Sequence, residues 1–80
     1  MPHRPLLVPL SRILPGHSAR VVEVAVQEVQ VALLNMGIAP GDVIEVANLG
    51  PGGDPLAIRS AGTKLAFRKV VADSIYVEAL

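Results

Sequence analysis

Apolar and polar positions change period several times along the chain, and each change marks an element. The stretch ARVVEVAV, Ala19 to Val26, is rich in β-branched residues. It sets Val22, Val24 and Val26 on one side and Ala19, Val21 and Glu23 on the other. This predicts a strand with its valine side buried and its other side mixed. Pro15-Gly16 punctuates the chain just ahead of it. The period then shifts. In QEVQVALLNMGI, Val29, Leu33 and Met36 recur at helical spacing among the polar Gln27, Glu28, Gln30 and Asn35, which predicts a short amphipathic helix. Gly37 is placed to end it in the left-handed conformation, with Ile38 folding back onto Leu33 in a Schellman motif. Ala39-Pro40-Gly41-Asp42 fits a type II turn, because Pro presets the first central position and Gly supplies the second.

Beyond that turn the period stays near two. Ile44 and Val46 alternate against Glu45 in a strand over Val43–Asn48, and Leu56 and Ile58 alternate with Ala57 and Arg59 in another. Leu65 and Phe67 oppose Lys64 and Arg68 after an Ala61-Gly62 turn that lacks the Asn-Gly signature of the tightest hairpins. KVVAD is the length of a single helical turn, and Ile75 and Val77 face away from Tyr76 in a last strand. The pattern predicts a mainly β fold: a small closed or nearly closed barrel of about five short strands, with one short helix inserted after the first. Closure is expected because it removes the open sheet edges that invite aggregation. Residues 1–9, with prolines at positions 2, 5 and 9, read as a loose entry segment, and residues 10–80 as the domain.

Composition narrows this picture. A domain of 80 residues buries only about 60% of the surface its unfolded chain exposes, so its core must be small and dense. With one Phe, one Tyr and no Trp, that core is aliphatic. The chain has no cysteine, which excludes disulfides and thiolate metal sites. Seven basic and seven acidic side chains cancel, leaving no overall field for nucleic acid or an anionic membrane. No apolar run approaches the roughly 20 residues of a membrane span, so no direct membrane insertion is expected.

The segment NLGPGGDPLAIRSAG, Asn48 to Gly62, is the one candidate for a phosphate-binding loop. It fails that chemistry on two counts. Pro55 stands where a dinucleotide fingerprint needs its third glycine, and strand periodicity follows where a helix N-terminus must face the phosphates. No Gly-Lys-Ser/Thr follows either. Gly50 to Gly53 therefore read as the flexible part of a connection between strands. A metal site would draw on His3, His17, Asp42, Asp54 and Asp73, which lack the spacing of known ligand motifs. Ser11, Ser18, Ser60, Thr63 and Ser74 have ordinary turn or strand-end roles, and no base accompanies them at an informative spacing. Arg59, Lys64, Arg68 and Lys69 could line one face, but without stacking aromatics they do not point to nucleic acid.

ALLNMGIAPGDVIEV followed by GDPLAIRSAGTKLAFRKVVADSIYV resembles the FeoA family, the small proteins that accompany the ferrous-iron transporter FeoB. The resemblance rests on Leu33 through Gly37-Ile38, Pro40-Gly41, Gly53-Asp54-Pro55, and Phe67-Arg68-Lys69 with Ala72 and Ile75. It implies an SH3-like barrel, no enzymatic activity, and a cytoplasmic protein held at the inner face of the membrane through its partner. That partner would be the cytosolic GTP-binding part of a FeoB-type transporter, with no nucleic acid involved. The chain departs from the pattern at Ala32, where a basic residue is common, and at Val71, where an acidic one is. A related domain closes some metal-dependent repressors, so a metal-sensing interaction module is the alternative; weak binding of Fe²⁺ or another divalent metal and assembly into a homo-oligomer stay open. Leu49, Asp54, Arg68 and Lys69 are the residues expected to meet the partner: Leu49 as an apolar side chain in a loop of small residues, the others through charge-assisted contacts.

Overall fold

A computed structural model describes residues 6–80. In chain order the elements are β1 (Leu7–Pro9), a 3₁₀ turn (Leu10–Arg12), β2 (Ser18–Val24), α1 (Gln27–Asn35) and β3 (Val43–Leu49). A second 3₁₀ turn (Pro51–Gly53), β4 (Leu56–Ser60), β5 (Thr63–Phe67), α2 (Lys69–Ala72) and β6 (Ile75–Ala79) complete the chain. The strands form one antiparallel sheet in the order β1-β6-β2-β3-β4-β5. It folds around an aliphatic core to which β2 to β6, α1, α2 and the first 3₁₀ turn all contribute. The mainly β, small barrel-like architecture with its inserted helix is the one the pattern predicts. The sheet is not closed, since β1 and β5 end it without pairing.

The described residues form six strands where five were expected. The additional strand, β1, lies inside the segment read as loose, and it pairs Leu7 with Glu78, Val8 with Val77 and Pro9 with Tyr76. Three residues ending in proline carry no strand signal of their own. Pro9 is tolerated because β1 is an edge strand, where a missing N–H removes no interior ladder bond. Val8 packs against the core and Leu10 is fully buried, so the chain is committed to the core before residue 10. The rest of the expected loose segment, residues 1–5, and the candidate ligand His3 lie outside the described residues.

The helix signals are realised in full. Ile38 N–H donates to Leu33 O at 2.8 Å and Gly37 N–H to Leu34 O at 3.0 Å, with Gly37 at φ 85°. These are the two bonds of the Schellman motif, and its apolar contact is made by Leu33 and Ile38, each 3% exposed. The following turn is closed by Asp42 N–H to Ala39 O at 3.0 Å and reinforced by Ala39 N–H to Asp42 Oδ2 at 2.9 Å.

The facing of β2 is reversed from expectation. Ala19 and Val21 are buried, while Val22 and Val26 are exposed. Side chains directly opposite each other in a ladder share a face of the sheet. Val21 pairs with the buried Val77, and Ala19 with the buried Ile44, which forces both inward. A register shift between Val21 and Glu23 then changes the parity, and Val24, opposite the buried Ile75, packs against the core.

Candidate docking surface

The connection from β3 to β4 is an ordered turn, a correction to its reading as a flexible link. Gly50 N–H donates to Pro55 O at 2.7 Å, Gly53 N–H to Gly50 O at 2.9 Å and Asp54 N–H to Pro51 O at 3.3 Å. Gly50 is required by close approach: a Cβ there would lie 2.5 Å from the Asp54 carbonyl oxygen and 2.7 Å from Pro55 Cδ. The backbone folds back on itself, and the turn holds Asp54 at its end.

Asp54 reaches across to another element. Its Oδ1 accepts the backbone N–H of Lys69 at 3.0 Å, the first residue of α2. Arg68, the residue before that helix, makes no side-chain cap of its own. Asp54 therefore satisfies an orphan N–H at the helix start from fifteen residues away in sequence. The other end of α2 is tied as well. Asp73 accepts the Ser11 hydroxyl proton, and its second oxygen lies 3.8 Å from Lys69 Nζ. A four-residue helix, too short to persist alone, is thus pinned at both termini.

Of the four residues expected to meet a partner, the structure brings three together. Asp54 and Lys69 are in contact, and Arg68 is their exposed neighbour, with no carboxylate in ion-pairing range among the described residues. Leu49 is placed otherwise. It is the last residue of β3, and a register shift between Val46 and Asn48 turns it toward the core side, opposite the buried Leu56. Leu49 is half-buried and packs against the core, so it supports the turn from beneath.

Sequence reasoning missed an apolar groove of about 280 Å³ between α1 and the segment that runs from the end of β5 into α2. Val29, Ala32, Leu33 and Met36 line one wall, Phe67 and Val71 the other, and Glu28 is the one charged residue at its margin. The helical stripe Val29–Leu33–Met36 was a signal for it. Of that stripe only Leu33 is buried, and Met36 is 41% exposed. Ala32 and Val71, the two positions where the family resemblance leads one to expect charges of opposite sign, both face this groove. The surface is apolar at the two positions where the chain departs from the family pattern. Arg68 and Lys69 sit between Phe67 and Val71 in sequence, and neither lines the groove itself.

Among the described residues no three of His, Asp and Glu gather as a ligand set. Asp42, Asp54 and Asp73 are each engaged in the hydrogen bonds described above. No described helix is long and apolar enough to cross a membrane.

Residues 8–79 match the family described as the FeoA domain. Among solved structures, the chain is similar to an iron uptake regulatory protein (FeoA), at 32% identity over 94% of this chain and 99% of that one, with a TM-score of 0.82. It is similar also to iron(II) transport protein A from Clostridium thermocellum, at 36% identity and TM-score 0.84, over 91% of this chain and 46% of that one. A manganese-dependent transcriptional repressor shares the fold, with TM-score 0.84 at 15% identity over 98% of this chain and 44% of the repressor. No curated protein matches the sequence.

Proposed function

Because the chain belongs to the FeoA domain family, we propose that it is a non-catalytic accessory protein of ferrous-iron uptake that docks on the cytosolic GTP-binding part of a FeoB-type transporter. It would work in the cytoplasm, at the inner face of the membrane through that partner. The observation that carries the assignment of the surface is the groove between α1 and the Phe67–Val71 segment, apolar on both walls, with the exposed Arg68 next in sequence to the Phe67 that lines it. An exposed apolar groove with a polar margin is the physical form of a helix-docking site. From Glu28 to Met36 the groove follows nine residues of α1 and its C-cap, eight steps or about 12 Å at helical rise, which suits roughly two turns of an amphipathic helix. Arg68 supplies an exposed cation for an acidic residue beside it.

The test fills the groove without unbalancing the charge. Ala32→Lys combined with Val71→Glu sets a long cation and a carboxylate on facing walls. Calorimetric titration against the transporter's isolated cytosolic domain should show the wild-type chain binding and the double variant at least about tenfold weaker. Arg68→Glu should show a smaller loss, because a rim charge is largely solvated. Equal affinity for the wild type and the double variant would remove the groove from the docking surface.

A further inference from the structure

We infer that Asp54 is a positioning residue for this surface: the Gly50–Pro55 turn is a strut that sets one wall of the groove through the Asp54 carboxylate and the Lys69 N–H, and Asp54 does not itself touch the partner. The inference of an effect on docking rests on the docking proposal above; the inference that Asp54 sets the wall does not.

Three observations meet here. The turn is built to hold one residue still: the hydrogen bonds across Gly50, Gly53 and Pro55 close it, and the Gly50 backbone approaches Asp54 more closely than any side chain would permit. The Asp54 carboxylate is already committed, accepting the Lys69 N–H at 3.0 Å. Lys69 opens the helix whose third residue, Val71, lines the groove. Between the cap and that wall lie two residues of a single turn of helix, so the wall moves with the cap. A helix of four residues has no internal cooperativity with which to hold its own start. Its far end is fixed separately by Ser11 and Asp73, and its near end, entered from the paired Phe67 of β5, has the Asp54 carboxylate as its one side-chain hydrogen bond.

The two roles for Asp54 predict different behaviour in an isosteric variant. Asp54→Asn keeps an oxygen acceptor for the Lys69 N–H and loses the charge; Asp54→Ala loses both. If Asp54 positions the wall, the methyl NMR signals of Val71 and Met36 in the free protein shift in Asp54→Ala and stay near wild type in Asp54→Asn. Hydrogen exchange at Ala72 and Asp73, whose N–H groups close α2, accelerates in Asp54→Ala only, while exchange at the core amides of β4 is unchanged. Affinity for the transporter's cytosolic domain then falls by about fivefold in Asp54→Ala and is restored in Asp54→Asn.

Lys69→Pro gives an independent variant should Asp54→Ala fold poorly. Proline is accommodated at the first position of a helix and removes the donor, so it should shift the Val71 signals as Asp54→Ala does. Val71 signals unmoved in both Asp54→Ala and Lys69→Pro would overturn the inference. So would an affinity loss in Asp54→Asn as large as in Asp54→Ala, which marks a direct charge contact. Failure of the wild-type chain to bind would count against the docking proposal alone, because the methyl shifts and the exchange rates are read without a partner.

Discussion

At the scale of single residues, a few positions carry constraints that their side-chain chemistry does not announce. Ala61 and Gly62 both have positive φ, 50° and 82°, and connect Ser60 to its partner Thr63. This is the pattern of a type I′ hairpin turn. Gly62 meets it freely, whereas an alanine in the left-handed region is strained by about 1 kcal/mol or somewhat more. Ala61→Asn restores the favoured Asn-Gly pair, and the unfolding free energy in urea should rise by about 0.5–1 kcal/mol with an unchanged slope. The sequence showed the turn's position but not its type, since Ala-Gly has no preference strong enough to choose one. Gly50 was equally opaque. It looked like one glycine among several in a loose link, and only the approach of the Asp54 carbonyl distinguishes it. Asp54 could be recognised as a residue of interest, but its partner could not, because the bond spans separate elements and no local spacing encodes it.

Elements were legible where the chain keeps one period and misread where it changes parity. The Leu33–Ile38 helix end and the Ala39–Asp42 turn follow from local rules, and the hydrogen bonds expected there are present. β4 and β5 pair without a register shift, and of the residues expected inward Leu56, Ile58, Phe67, Ile75 and Val77 are buried and Leu65 is half-buried against the core, while Ala57, expected on the other side, is buried as well. β2 and β3 each contain a register shift. One extra residue exchanges the two faces of everything beyond it, so a strict alternation must fail on one side of each shift. It failed at Val21 before the first and at Leu49 after the second. The corrected facing of β2 has a direct check. Val21→Thr sets a hydroxyl into the core and should cost about 1–3 kcal/mol in chemical denaturation. Val22→Thr, one residue along on the exposed face, should stay within about 0.5 kcal/mol of wild type. The facing read from alternation alone predicts the opposite order.

At the scale of the whole molecule, the balance of charge and apolar surface decides what kind of binding this domain supports. Its net charge is zero, and its three described ion pairs are exposed or half-exposed at each partner. Two of them, Arg20 with Glu78 and Arg59 with Glu45, join residues directly opposite in the ladder, where they favour the register and contribute less than about 1 kcal/mol each. Long-range attraction to a partner is therefore weak, and the free energy of docking must come from covering the groove, whose Met36 is 41% exposed. Burial of apolar surface has a thermal signature that charge pairing lacks: the binding enthalpy becomes more favourable as temperature rises, because the heat-capacity change is negative. Calorimetric titrations of the transporter's cytosolic domain at several temperatures should show that negative slope, and filling the groove through Ala32→Lys with Val71→Glu should flatten it. The same titrations in added salt should change affinity by less than about tenfold, since Arg68 at the rim is screened over about 10 Å at 0.1 M ionic strength. A steep loss of affinity with salt together with a flat enthalpy would shift the docking energy from the groove to Arg68 and Lys69, and the groove would then be a margin of the contact and not its centre.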